Sequence, residues 1–226
     1  MSKKSLQQMK HKKLRKTVLD TARAMNASGI NRGTAGNVSA RCRDGFLITP
    51  SGIPYDLCTP KQLVVMTLGG DVRGEGKPSS EWRFHRDIYA ARPEVEAIVH
   101  THSPHATTLA CLGKPIPAFH YMVAAAGGED IRVADYATFG GQELSDNAIV
   151  ALEGRRACLL DRHGVIATGS DCRRALALAV EVENLAEMYC KLLAIGEPRV
   201  LDSEEMARVL ERFKNYGSSA ASEKRD

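Results

Sequence analysis

The sequence has no Cys-x-x-Cys pair. Its six cysteines, Cys42, Cys58, Cys111, Cys158, Cys172 and Cys190, are scattered along 226 residues. That spacing excludes a zinc knuckle and a dense disulfide framework, and it fits reduced thiols in a cytoplasm. There is also no apolar run near the roughly 18 residues of a membrane span, and the lysine-rich start lacks the apolar stretch of a secretion signal. A cytoplasmic chain without membrane contact is expected. The net charge is only +4, and Lys3, Lys4, Lys10, Lys12, Lys13, Arg15 and Lys16 supply much of the positive side. A basic run can touch nucleic acid, but little aromatic or basic patterning follows this one. It reads as the solvated face of a first helix, and no nucleic-acid partner is expected.

What is present suits a globular enzyme. Hydrophobic residues make up 43% of the chain and charged residues 26%, ordinary shares for a chain long enough to bury one core. Helical spacing of Met9, Leu14, Val18, Ala22 and Met25 predicts an opening helix over about Leu6 to Met25, stopped at Gly29. Two short strands, Val38–Cys42 and Phe46–Thr49, flank Arg43-Asp44-Gly45, a hairpin signal. Leu63–Thr67 reads as a strand turned by Gly69-Gly70-Asp71. Ser79 or Ser80 caps a helix running to about Arg92. Helices are also predicted from Pro104 to near Gly113, from Leu144 to Leu152, from Asp171 to Ile195 and from about Ser203 to Lys214. Strands are predicted at Ala157–Leu160 and Val165–Ala167. Short strands mixed with helices, without a regular βαβ repeat, point to a layered α/β sandwich with a largely antiparallel sheet.

Three stretches of small polar residues interrupt this pattern: Gly33-Thr34-Ala35-Gly36-Asn37-Val38-Ser39, Thr49-Pro50-Ser51-Gly52 and Lys77-Pro78-Ser79-Ser80. Such loops can bring backbone N–H groups close to an anion, and each alone also fits a plain turn. The first is not a P-loop, because the Gly-Lys-Ser/Thr ending is missing.

The chemistry-bearing stretch is Ile98-Val99-His100-Thr101-His102-Ser103-Pro104. With a side-chain period of two, His100 and His102 point to one side of a strand. By itself His-x-His also fits two polar residues on a half-exposed strand. His163, at a strand-to-turn boundary, supplies a third imidazole, and three histidines at strand ends can hold a divalent metal with a fourth position open. Glu81, at the head of its helix, is the natural carboxylate to bind that metal at rest and to move a proton once substrate arrives. Spacing alone does not prove convergence, and His85 and His105 stand as rival ligands.

These stretches occur together with His120-Tyr121-Met122, Ala124-Ala125-Ala126-Gly127-Gly128, Tyr136-Ala137-Thr138-Phe139-Gly140 and Phe213-Lys214-Asn215-Tyr216-Gly217, in one order. In that conjunction the chain resembles the class II aldolase/adducin family, and within it most closely the aldolases of L-fuculose 1-phosphate. The resemblance implies a three-layer α/β/α sandwich around a mostly antiparallel sheet. It implies one domain over residues 1–217, with 218–226 a disordered tail. Zinc, or another divalent ion such as manganese or cobalt, would be held by His100, His102 and His163, with Glu81 as fourth ligand and acid/base. A sugar phosphate would lie on Thr34, Asn37, Ser51, Gly52, Ser79 and Ser80. Tyr121 would serve the site of a neighbouring subunit in a homotetramer, and Phe139 and Tyr216 would shape the aldehyde pocket. The same family includes aldolases of 5-deoxyribulose and methylthioribulose 1-phosphates, a methylthioribulose-1-phosphate dehydratase, ribulose-phosphate 4-epimerases and non-catalytic adducin head domains. The epimerases carry Asp at the place of Glu81, and an adducin-like role does not fit the full set of three histidines, Glu81 and Tyr121.

Overall fold

Alternation along the strands decides the architecture. The computed structural model describes residues 11–215; Tyr216, the tail expected at 218–226 and the opening-helix residues before His11 lie outside the described residues. Eight strands form one sheet: β1 (Asn37–Cys42), β2 (Gly45–Ile48), β3 (Val64–Met66), β4 (Val72–Arg73), β5 (Ala97–Thr101), β6 (Val133–Ala134), β7 (Ala157–Leu160) and β8 (Gly164–Gly169). Their order across the sheet is β4-β3-β2-β1-β5-β8-β7-β6, and every neighbouring pair is antiparallel except β6 with β7.

Because successive side chains point to opposite faces, each buried strand feeds two cores. Val38, Ala40, Leu47, Val65, Ala97, Val99, Leu159 and Val165 fall in one core. Phe46, Ile48, Val64, Met66, Ile98, Cys158, Leu160 and Ile166 fall in the other. The first core is covered by α1 (Lys12–Ala27), α3 (Pro104–Cys111), α5 (Cys172–Ile195) and α6 (Ser203–Asn215), through Val18, Leu109, Leu185 and Met206 among others. The second is covered by α2 (Trp82–Ala91) and α4 (Gln142–Ala151), through Phe84, Ile88, Leu144 and Ala148. The result is the expected three-layer α/β/α sandwich. Each fully buried Leu, Ile or Phe contributes about 1.5–3 kcal/mol, so the sheet is stabilised from both sides.

The predicted helices and strands appear with shifts of a residue or two at their ends, except at the start of the opening helix, where α1 begins at Lys12 behind a left-handed His11 with φ +63°. The two-residue strands β4 and β6 and the 3-10 turns at Pro60–Gln62 and Tyr121–Ala126 go beyond the sequence reading, because two to six residues carry too little of a period to read. The cap of α2 differs too. Glu81, not Ser79 or Ser80, occupies the N-cap position. The Ser79 N–H is tied to the Thr49 carbonyl at 3.1 Å, and Pro50 and Pro78 form an antiparallel bridge. That ladder keeps Ser79 extended and delays the helix by two residues.

A carboxylate on α5 anchors the helix that follows His102. Glu183, 8% exposed, accepts hydrogen bonds from the His105 N–H at 2.9 Å, His105 Nδ1 at 2.8 Å and the Ala106 N–H at 3.0 Å. The first N–H groups of α3 have no partner within the helix, and negative charge there is favoured. Glu183→Ala should therefore destabilise the protein by about 2 kcal/mol. Urea unfolding of purified variant and parent measures it, and a loss below about 0.5 kcal/mol would show that the anchor is idle.

Candidate metal centre

The centre lies at one end of the sheet, on the face covered by α2 and α4. His100 lies on β5 on the same face as Ile98, and His102 follows one residue past the strand. His163 sits in the three-residue turn joining β7 to β8, whose pairing with β5 sets Thr101 opposite Val165. Glu81 descends from the head of α2. Ligand atoms of Glu81, His100, His102 and His163 all lie within 4.8 Å of one another. The three rings stand edge-on in a triangle, with centroids 4.9, 4.9 and 5.0 Å apart and interplanar angles of 77–79°. His163 is thus brought to the pair 61 residues upstream. The rival His85 stands behind Glu81, and His105 is engaged by Glu183.

The residues fit a divalent cation. His100 Nδ1 lies 2.9 Å from the Val165 carbonyl. A carbonyl can only accept, so Nδ1 carries the proton and Nε2 presents its lone pair. That Nε2 lies 3.1 Å from His102 Nε2 and 3.1 Å from Glu81 Oε2. Glu81 Oε1, buried and 2.9 Å from His163 Nε2, has no hydrogen bond of acceptable geometry. Lone pairs converging on an orphaned carboxylate oxygen are what a cation would compensate, and three imidazoles with one carboxylate are a zinc-type donor set. Close approach also dictates Gly164: a Cβ there would lie 2.4 Å from the Thr101 carbonyl and 2.9 Å from the His102 ring.

Burial by itself would push the Glu81 carboxyl up, but His100 and His163 hold it well below the usual carboxylate range. Burial, then the neighbouring imidazoles, pushes His102 down to about 4. Burial, with His100 nearby, pushes the fully enclosed His85 down to about 3. Both stay neutral near pH 7, as metal ligation and hydrogen bonding require.

A cavity of about 350 Å³ opens over this cluster, lined by Thr34, Ala35, Ser80, Glu81, His102, Tyr136, Ala137, Phe139, Arg162 and His163. The first and third small-residue loops meet here. The second adjoins the third through the Pro50–Pro78 bridge and the Ser51 N–H to Lys77 carbonyl bond at 3.0 Å. Ser51 itself lines a neighbouring basic cleft with Arg15, Lys61, Arg73 and Lys77, while Gly52 turns with φ +73°. Ser79 is buried, and its hydroxyl accepts from the Glu81 N–H at 3.3 Å. Asn37 is also buried; its Nδ2 donates to Glu81 Oε2 at 3.0 Å, and its Oδ1 faces His85 Nε2. Tyr121, 50% exposed, stands on its 3-10 turn and does not line this cavity. Phe139, 67% exposed, lies on its rim. Tyr136 and Arg162 go beyond the sequence reading. Tyr136 opens the Tyr136–Gly140 motif. Arg162 has no residue-type signal, yet adopts φ +53° beside His163 and sets its guanidinium over the Tyr136 ring at 5.6 Å.

Known proteins place this geometry. The family described as Class II Aldolase and Adducin N-terminal domain matches residues 16–190. A 5-methylthioribulose-1-phosphate/5-deoxyribulose-1-phosphate aldolase of Rhodospirillum rubrum is 58% identical over 207 residues, 92% of this chain and 94% of that protein. An L-fuculose phosphate aldolase of Escherichia coli is 51% identical over 211 residues, 92% of this chain and 98% of that protein. A solved structure of an L-fuculose 1-phosphate aldolase superposes with a TM-score of 0.88 at 42% identity, covering 92% of this chain and 99% of its own.

Two outcomes are expected of this centre. His102→Ala should lose bound divalent metal while keeping its fold, read by elemental analysis and circular dichroism; stoichiometric metal in the folded variant would remove His102 from the ligand set. The metal-free protein should also lose stability as pH falls from about 6.5. His85 and His102 take up protons in the unfolded chain at the ordinary histidine value, but in the folded chain only near 3 and 4. The unfolded state binds more protons in that window, at about 1.4 kcal/mol per proton per pH unit. A melting temperature unchanged between pH 7 and pH 5 would contradict it.

Proposed function

Because the chain belongs to the class II aldolase and adducin family and is a metal-dependent aldehyde-lyase of that class, we propose that it reversibly cleaves a ketose 1-phosphate between carbons 3 and 4. The products are dihydroxyacetone phosphate and a short aldehyde with an apolar end. The observation that carries this reading is the convergence of Glu81, His100, His102 and His163 beneath a cavity that also holds Thr34, Ser80 and Phe139. L-Fuculose 1-phosphate is the substrate favoured by the sequence motifs. The higher identity to the Rhodospirillum protein supports 5-deoxyribulose and 5-methylthioribulose 1-phosphates. All three share the phosphate end and differ beyond carbon 4.

Zinc held by His100, His102 and His163, with Glu81 as fourth donor, supplies a Lewis acid that lowers the cost of negative charge on the ketose oxygens. The protein's own groups do the rest. Thr34, Ser51, Gly52, Ser79 and Ser80, with Asn37 at their base, hold the phosphate, so that remote binding energy orients the reacting carbons. Tyr121 of a neighbouring subunit receives the proton of the carbon-4 hydroxyl as the carbon–carbon bond breaks. The bonding pair passes into the adjacent carbonyl system, carbon 3 takes a proton by way of Glu81, which is ionised at rest and draws that proton from water, and the proton gained by Tyr121 leaves to water; synthesis runs these transfers in reverse. Phe139, with Tyr216, packs against the apolar end of the aldehyde. This reading requires a homotetramer with sites between subunits, which the exposed ring of Tyr121 supports. One domain over residues 1–217 and a cytoplasmic location, supported by unpaired cysteines, complete it.

The test is a cleavage assay of the zinc-loaded protein over fuculose, rhamnulose, 5-deoxyribulose and methylthioribulose 1-phosphates. Dihydroxyacetone phosphate should form, and Glu81→Gln should lower kcat by at least about a hundredfold. No cleavage of any of the four by metal-loaded protein would sink the reading, and near-normal turnover of Glu81→Gln would move the proton elsewhere.

A further inference from the structure

Behind Glu81 a line of polar side chains runs into the core. On α2, Glu81, His85 and Tyr89 recur every four residues and form one stripe; on β1, Asn37 and Ser39 share one face. Four helical residues rise about 6 Å and two strand residues about 6.6 Å, so stripe and strand interdigitate. Asn37 Nδ2 lies 3.0 Å from Glu81 Oε2, His85 Nε2 2.5 Å from Asn37 Oδ1, His85 Nδ1 2.7 Å from Ser39 Oγ, and Ser39 Oγ 2.8 Å from the Tyr89 hydroxyl. Asn37, Ser39, His85 and Tyr89 are each at most 2% exposed.

The direction of every bond in this line follows from its end. An ionised carboxylate only accepts, so Asn37 turns its NH2 to Glu81 and its carbonyl to His85. A carbonyl also only accepts, so His85 carries its proton on Nε2 and leaves Nδ1 bare. Ser39 then donates to Nδ1 and accepts from the Tyr89 hydroxyl. All donors point toward Glu81. An amide does not readily hand on a proton, so Asn37 prevents the line from acting as a proton wire.

We propose that His85 is a positioning residue: by holding the Asn37 amide in one orientation, it fixes Glu81 Oε2 beside His100 and leaves Oε1 turned toward His163. This proposal rests on the reading of Glu81 as metal ligand and proton carrier. Without His85 the amide is free to rotate and set its carbonyl against the carboxylate, two acceptors facing each other. Burial keeps the imidazole neutral, so it acts through its tautomer and not through charge.

The test compares His85→Leu with His85→Gln, whose side-chain amide can donate to Asn37 and accept from Ser39. In His85→Leu, zinc affinity by chelator competition and kcat for ketose phosphate cleavage should both fall about ten- to a hundredfold, with KM little changed. His85→Gln should recover both to within about fivefold of the parent. A folded His85→Leu with parental zinc affinity and kcat overturns the proposal. So does a folded His85→Gln as impaired as His85→Leu, since that marks a packing role. If His85→Leu does not fold, long-range ¹H–¹⁵N spectra of the parent decide. A proton on Nε2 with bare Nδ1 supports the proposal, and the opposite tautomer or an imidazolium at pH 7 overturns it. Zinc titration and spectrum are read without any ketose phosphate, so a failed cleavage assay leaves them standing as separate results.

Discussion

Taking a carboxylate out of water costs several kcal/mol unless both of its oxygens find partners, and the placing of Glu81 answers to that demand. One oxygen receives the Asn37 amide and approaches His100, and the other turns toward His163. Those partners come from β1, β5 and the β7–β8 turn, contiguous across the middle of the sheet. The antiparallel register that sets Asn37 opposite His100 is therefore a condition for the centre as well as for the core. Gly36 belongs to the same constraint: a Cβ there would lie 2.5 Å from the His100 carbonyl, and the Tyr55 hydroxyl donates to the Gly36 carbonyl on its other side.

Much of this was legible in the chain. The apolar runs of β5, β7 and β8 and the steps of three and four in α5 are strong signals, because strands buried on both faces are apolar throughout and a long helix repeats its step several times. The shared side of His-x-His follows from the strand period of two. What periodicity does not encode is distance across sequence. His163 declared itself only as a polar residue at a turn, and a sheet pairing more than 60 residues apart had to bring it home. Asn37 shows a second kind of illegibility. A run of glycines and small polar residues marks it as an anion-binding amide, but nothing in that run shows that its side chain also lies buried between Glu81 and His85. Glu183 is a third case: within the apolar helix α5, nothing nearby in sequence announces that its partners are the N–H groups of α3.

Rigidity and adaptability are divided around the site. Two ligands stand at and just past the end of β5, one in the three-residue turn between β7 and β8, and one at the head of α2. The rim is different: Tyr136 and Phe139 are 52% and 67% exposed and sit on the loop between β6 and α4, held to α2 through the Arg83 to Gly140 carbonyl bond at 2.6 Å. Chemistry common to many substrates needs the first kind of support. Discrimination among aldehydes that differ by a methyl or a thioether needs only the second, and such differences are worth about 1–3 kcal/mol in an apolar pocket.

The interlocking of a four-residue helical step with a two-residue strand step has an evolutionary consequence. Between Glu81 and Tyr89, or between Asn37 and Ser39, an inserted or deleted residue would rotate one row out of the other and uncouple the carboxylate from the core. Length change is barred there, and drift can proceed only by exchange of side chains. The turn from Leu68 to Asp71 between β3 and β4, which touches none of Asn37, Ser39, Glu81, His85 and Tyr89, can lengthen or shorten. Relatives of this chain should therefore differ in length at that turn while keeping the count of residues from Glu81 to Tyr89 unchanged.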